Sequence, residues 1–180
     1  MKSRGKLAKN TVVGTIMTNM GFIRFCEENG MRFEAAKVGD RYVLETMRQN
    51  DYNFGGEQSG HVIFLDFGTT GDGQLTGAHL LSLVHRREAK LSSLATLMTR
   101  FPQVLVNVEV SNEGKLRFYT DRKIKEATQR VQNQLGRKGR ILVRPSGTEP
   151  LLRVMVEGES EAEIQELANY VADVIREQLV

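Results

Sequence analysis

Apolar positions along this chain change their spacing several times, and each change marks a candidate element. Thr11-Val12-Val13-Gly14-Thr15-Ile16-Met17 is a β-branched, apolar run that suits a buried strand. Asn19 can cap the segment after it, where Phe22, Phe25 and Cys26 share one helical face and Gly30 supplies the stop. Met31 to Lys37 reads as a second strand. Gly39-Asp40 opens a second helix with Val43, Leu44 and Met47 on one side. A Gly-rich loop over 55–60 then precedes a third strand, Val62-Ile63-Phe64-Leu65-Asp66-Phe67. Strand, helix, strand, helix, strand implies an α/β arrangement, a parallel sheet joined by right-handed crossovers.

Residues 74–98 are Leu-rich and helical in pattern, with a charged interruption at His85-Arg86-Arg87-Glu88. Phe101-Pro102 ends that run and starts a strand, so the expected domains are 1–99 and 100–180. In the second, Gln103–Val110 reads as a strand, Asn112-Glu113-Gly114 as a turn and Lys115–Tyr119 as a short strand. Asp121 caps a helix whose apolar face is Ile124, Ala127, Val131 and Leu135. Strands over 140–144 and 151–157 flank the loop Pro145–Pro150. Ser160-Glu161-Ala162-Glu163 has the capping-box pattern, and the helix it opens carries Ile164, Leu167, Ala168, Val171, Val174, Ile175 and Leu179. This half reads as a small α+β domain with helices on one face of a sheet.

Composition narrows the setting. The 180 residues allow one large or two small domains, and 40% hydrophobic with 26% charged positions excludes a disordered chain. No apolar run approaches the ~18 residues that a membrane helix needs, so no membrane association is expected. A single cysteine, Cys26, and a basic start without an apolar stretch behind it point to a reducing, cytoplasmic location. The net charge of +3 hides a basic segment over 121–140, net +5, and an acidic one over 157–180, net −6. The basic segment lacks interleaved aromatics, so no nucleic-acid partner is expected.

Two loops could carry chemistry. In Arg144-Pro145-Ser146-Gly147-Thr148-Glu149-Pro150, two prolines stiffen the ends, Ser146 and Thr148 offer hydroxyls, and Gly147 lets backbone N–H groups approach a ligand. Arg144 adds a planar cationic fork suited to phosphate oxygens, and Arg153 on the following strand could supply a second. An ordinary polar turn would hold the same Ser-Gly-Thr, but not arginines on both sides. In Gly55-Gly56-Glu57-Gln58-Ser59-Gly60-His61, the glycines leave room for a ligand against the backbone. Glu57 and Ser59 could hold sugar hydroxyls, and His61 could act as acid or base. Taken alone, this segment reads slightly better as a Gly-rich loop with a satisfied histidine. Gly68–Gly73 lacks the Gly-Lys-Ser/Thr of a nucleotide loop, and there is no GxSxG nucleophile elbow. His61, His79 and His85 lack metal-ligand spacing, and no metal site is expected.

GGEQSGH and RPSGTEP together, with NTVVGTIMTNMGF and AAKVGDRYVLE ahead of them, resemble the α-D-phosphohexomutase family over nearly the whole chain. The resemblance implies most of a third, three-layer α/β/α sugar-phosphate-mutase domain, followed by a complete fourth domain. It implies Glu57 and Ser59 on sugar hydroxyls, with His61 close to the reacting centre. Arg144, Ser146, Gly147, Thr148 and Arg153 would hold the non-reacting phosphate, and Lys37 and Arg41 would face the cleft. Gln58 and the KVGDR segment resemble the branch that shifts a phosphoryl group between positions 6 and 1 of glucosamine, for cell-wall precursors. That route passes through a phosphoserine and a 1,6-bisphosphate. The phosphoglucose and phosphomannose branches, or a non-catalytic phosphosugar-binding module, are the alternatives. The family carries its phosphoserine in a TASHNP-like motif and Mg2+ on a DGDxDR-like loop, and neither occurs here. The expectation is therefore a chain that binds a phosphorylated amino sugar, holds no Mg2+ itself and is inactive alone. Association as a homodimer, through a sheet edge left open, is a further expectation.

Overall fold

β1 (Thr11–Thr15) is buried at all five positions and lies at the centre of the first sheet. The structure, a computed structural model, describes all of residues 1–180 and divides into two units, Met1–Arg100 and Phe101–Val180. In the first unit, α1 (Met20–Glu28) leads from β1 to β2 (Arg32–Ala36), which pairs parallel with β1 from Thr11↔Arg32 to Thr15↔Ala36. Asn19 starts α1 by accepting the Gly21 N–H. α2 (Asp40–Gln49) then returns the chain to β3 (Phe54–Gly56), parallel to β1 at Val13↔Gly55.

Alternation along β1 separates the two helical layers, because successive side chains point to opposite faces. Val13 packs with Val43, Met47, Tyr52 and Ile63 on the α2 side. Val12 packs with Leu7 and Cys26, bordered by Phe22, Phe33 and Phe54, on the α1 side. Cys26 is wholly buried, and that burial pushes its thiol up to about 11. The result is helix, sheet, helix. α3 (Gly73–Arg87), capped by Asp72 through the Leu75 N–H, and the short α4 (Leu91–Leu94) complete the unit.

The sheet departs from the all-parallel expectation. The strand predicted over 62–67 is β4 (Val62–Phe64), and it runs antiparallel to β3 through Phe54↔Phe64, Gly55↔Ile63 and Gly56↔Val62. The final order is β2-β1-β3-β4. A parallel return needs a crossover of about a dozen residues, and the glycine run leaves room only for a hairpin. Part of that run is itself strand. The glycines also do a different job from the one expected of them. A Cβ on Gly55 would lie 2.7 Å from Met47 Sδ and 2.9 Å from Val43 Cγ1, and one on Gly56 would lie 2.6 Å from the His61 carbonyl oxygen. They leave space for α2 and for the partner strand, and both also line the cavity of this unit.

In the second unit, β5 (Gln103–Glu109), β6 (Arg140–Pro145) and β7 (Leu151–Glu157) form an antiparallel sheet ordered β5-β7-β6. Of the stretch 115–119, expected as a strand, residues 115–118 belong instead to the helix α5 (Asn112–Phe118), and Tyr119 is its C-cap. Ser111 caps it by accepting the Gly114 N–H at 3.0 Å, so Asn112-Glu113-Gly114 is a first helical turn rather than a hairpin. α6 (Arg122–Leu135) and α7 (Glu161–Leu179) lay their apolar stripes on one sheet face, with Val108, Leu152, Val154 and Val156 beneath. Ile164, Val171 and Ile175 are fully buried, worth about 1.5–3 kcal/mol each. The long Ser160 cap at 3.4 Å adds at most ~1 kcal/mol, so packing rather than capping fixes α7. No helix is long and apolar enough to cross a membrane.

Gly56→Ala tests the close approach at the hairpin. We expect the first unit to lose about 1–3 kcal/mol, because the new methyl meets backbone that cannot retreat freely. Urea unfolding followed by tyrosine fluorescence and circular dichroism reads the loss, and unchanged stability would contradict the packing.

Candidate functional site

Two sets of polar groups stand out, one on each unit. The first is built on the β3–β4 hairpin. The Glu57 N–H donates to the His61 carbonyl at 2.9 Å and the Gly60 N–H to the Glu57 carbonyl at 3.1 Å, with Gly60 at φ +102°. This closed turn gathers Glu57, Ser59 and His61. Ser59 Oγ donates to Glu57 Oε1 at 2.8 Å and lies 3.1 Å from His61 Nδ1. With its single proton directed to the carboxylate, Ser59 Oγ can accept from Nδ1–H of the half-exposed imidazole.

Glu57 does more than the sequence disclosed. Its Oε2 accepts the Gly39 N–H at 3.2 Å, and its side chain is only 11% exposed. Gly39, at φ +125°, is the residue from which α2 starts. One carboxylate thus ties the KVGDR segment to the hairpin and still has lone pairs for an outside hydroxyl. Lys37 and Arg41 are exposed on this segment. Lys37 Nζ lies 5.8 Å from the Tyr42 ring, and Arg41 contributes its backbone N–H to Asp40. The structure brings Glu57, Ser59 and His61 together, and sets Lys37 just after β2 and Arg41 in the first turn of α2, on either side of Gly39. A largely apolar cavity of about 460 Å³ within this unit is walled by Val12, Phe22, Phe54, Val62 and Met98.

The second set follows from strand register. β6 and β7 pair with Arg144 opposite Arg153 and Val143 opposite Val154. Because Val154 and Val143 face the helices, both arginines point to the other face, on neighbouring strands. Cβ atoms directly opposite lie ~5 Å apart, and like charges there repel. Arg144 Nε and Arg153 Nε are both buried with no hydrogen-bond acceptor. Burial, and after it the Arg153 charge, hold the Arg144 guanidinium below the ordinary arginine value. Unpaired buried donors and adjacent cations both favour an anion.

The loop between these strands completes the set. Ser146 is buried; Gly147 and Thr148 are exposed, with open space around the position of a Cβ on Gly147. Glu149 Oε2 accepts from Arg153 Nη2 and, at 3.4 Å, from Ser146 Oγ. Sequence reasoning missed Lys115. Its Nζ donates to the carbonyl oxygens of Ser146, at 2.9 Å, and Glu149, binding the loop to α5. Reading Lys115 as part of a strand concealed this, whereas Ser111 three residues before Gly114 was the available signal for a helix. The basic helix α6 lies on the face opposite the arginines. Its Arg130 stacks on Tyr170, 5.5 Å from the ring centre, and its apolar stripe serves the core.

No three His, Cys, Asp or Glu side chains gather in a group that could hold a metal ion.

The family model "Phosphoglucomutase/phosphomannomutase, alpha/beta/alpha domain III" matches residues 1–101, and the C-terminal domain model of the same family matches 105–174. Phosphoglucosamine mutases from Caldanaerobacter subterraneus subsp. tengcongensis and Clostridioides difficile are 51% and 48% identical over 179 residues, 99% of this chain. The chain spans 40% of the length of these curated relatives. Among solved structures, N-acetylphosphoglucosamine mutase of Aspergillus fumigatus, in complex with GlcNAc-6P and magnesium, superposes with a TM-score of 0.79 at 18% identity. That match covers 94% of this chain and 39% of the other. A phosphoglucomutase/phosphomannomutase family protein from Burkholderia thailandensis reaches a TM-score of 0.75 at 21% identity, covering 99% and 40%. At such identities these structures speak for the fold. The two family models cover both units in order, and the chain belongs to the phosphoglucomutase/phosphomannomutase family, the α-D-phosphohexomutases, through its domains III and IV.

Proposed function

We propose that this chain supplies the sugar- and phosphate-binding elements of a phosphoglucosamine mutase. The whole enzyme would interconvert glucosamine 6-phosphate and glucosamine 1-phosphate through a phosphoserine and a 1,6-bisphosphate. The observation that carries the reading is the Arg144–Arg153 pair, two guanidinium groups set side by side with buried N–H donors that no protein acceptor meets. A phosphate dianion offers the charge and the oxygens that such a pair lacks. The near-50% identity to phosphoglucosamine mutases supports the amino-sugar branch over the phosphoglucose and phosphomannose branches.

In this reading Arg144, Arg153, Ser146, Thr148 and the N–H groups beside Gly147 clamp the phosphate that is not reacting. Glu57 and Ser59 take hydroxyls of the sugar, and His61 presents Nε2 as a proton acceptor. Lys37 and Arg41 add positive charge near the sugar loop. Phosphoryl transfer needs little covalent chemistry from such groups; they position the substrate and stabilise its charge. Neither a TASHNP-like nor a DGDxDR-like motif occurs in these 180 residues, so in this reading the chain alone binds and does not turn over.

Calorimetric titration with glucosamine 6-phosphate tests the reading. The chain is expected to bind it, and Arg144→Ala to weaken that binding by about 1.5–3 kcal/mol, the worth of a charged hydrogen-bonding partner. Equal affinity in the variant would reduce RPSGTEP to a turn.

Arg144→Met carries a second signature. Relief of the cross-strand repulsion is expected to raise the stability of the phosphate-free protein by up to about 1 kcal/mol. A lower melting temperature than the parent, measured without phosphate, would show that the two charges do not oppose the fold.

Glu57→Gln should weaken glucosamine 6-phosphate binding about tenfold while leaving affinity for inorganic phosphate unchanged, since charged hydrogen bonds are lost only at the sugar. An equal loss for both ligands would contradict the division of labour.

A further inference from the structure

The arginine pair is not wholly without an anion of its own. One carboxylate oxygen, Glu149 Oε2, takes hydrogen bonds from both Arg153 Nη2 and Ser146 Oγ. These are two of the groups that would hold phosphate. We propose that Glu149 is an internal anion that occupies the phosphate subsite in the free protein, and that a phosphate dianion displaces it. This inference rests on the reading of RPSGTEP as a phosphate site.

Three features of the loop suit such an exchange. First, the main chain at Glu149 is fixed while the side chain is not. Lys115 Nζ holds the Glu149 carbonyl, and the Glu149 N–H donates to Ser146 Oγ at 3.2 Å, yet the side chain is 50% exposed. The carboxylate can swing into water without unravelling the turn.

Second, the charges do not balance while Glu149 is the only anion. Arg144, Arg153 and Lys115 converge on the loop, and Glu149 neutralises one of them. A second anion bound beside the carboxylate would meet its repulsion. A dianion that replaces it neutralises both arginines and reaches Arg144, which Glu149 does not contact.

Third, the exchange is selective. An incoming monoanion gains no more from Arg153 and Ser146 than the tethered carboxylate already does, and it must find its own place from solution. Only a ligand of higher charge, with oxygens enough for both guanidinium groups, gains by the exchange. Glu149 would thus reject chloride, acetate and sugar acids at a site made to accept the phosphate of a sugar. It would also keep two opposed cations tolerable while the site is free.

The test uses the 180-residue chain and Glu149→Gln, titrated at pH 8 with inorganic phosphate and separately with acetate. Removing the competitor is expected to tighten phosphate binding about fivefold, the equivalent of an exposed ion pair worth about 1 kcal/mol. It is also expected to make acetate a measurable ligand, narrowing the preference for phosphate. Glu149→Asp, which keeps the charge on a shorter arm, should fall between. Circular dichroism checks that each variant is folded. Weaker or unchanged phosphate binding in Glu149→Gln, with the parent chain binding phosphate normally, overturns the proposal, because a carboxylate that orients Arg153 for its ligand gives that result. No phosphate binding by either protein overturns the phosphate site itself, and this inference with it.

Discussion

Antiparallel pairing of β6 with β7 forces Arg144 and Arg153 side by side, and the rest of the second unit is arranged around that constraint. The register is not free to slip. A shift by one residue would turn Val143 and Val154 away from α6 and α7 and bring the arginines into the core. Burial of Leu152, Val154 and Val156 against α7 therefore holds two like charges together. Several buried apolar side chains, each worth about 1.5–3 kcal/mol, readily outweigh a cross-strand repulsion of up to about 1 kcal/mol. The strain is local, small beside the packing, and directed at an anion.

The first unit uses a different device. There the polar groups are held by a hairpin whose glycines let α2 and the partner strand close in. Glu57 then reaches across to the Gly39 N–H and joins the hairpin to the start of α2. A carboxylate engaged in this way is positioned before any ligand arrives, which lowers the cost of binding. In the proposed reading, hydroxyl recognition and phosphate recognition are separated in kind. One rests on a preset hydrogen-bonded network, the other on two adjacent guanidinium groups and a single carboxylate, Glu149, paired with Arg153.

Much of this was legible in the chain before any coordinates. β-branched runs gave β1, β5 and β7, and the caps at Asn19, Asp121 and Ser160 all start helices where expected. Two elements misled. The glycine run hid β3, because alternation cannot be read where there are no side chains to alternate. Lys115–Phe118 looked extended because its apolar residues are few and Gly114 suggested a turn; only the Ser111 cap argued for helix. The roles of Lys115 and Glu149 were not legible at all. Both depend on contacts that the loop makes only once folded, to a helix more than 30 residues earlier and to the strand that follows. Register likewise has no single-residue signature. The sequence could suggest two arginines flanking one loop, but only the folded sheet sets Arg144 directly opposite Arg153.

The central claim is that the Arg144–Arg153 pair is a phosphate site, and the arginine Nε–H groups report on it most directly. In a ¹H–¹⁵N spectrum tuned to arginine side chains, titration with glucosamine 6-phosphate should shift the Nε signals of Arg144 and Arg153 together, with one saturating midpoint. The signals of Arg122 and Arg176, which pair with carboxylates of their own helices, should stay in place. Saturable binding that leaves Arg144 and Arg153 unmoved would place the phosphate elsewhere and contradict the account.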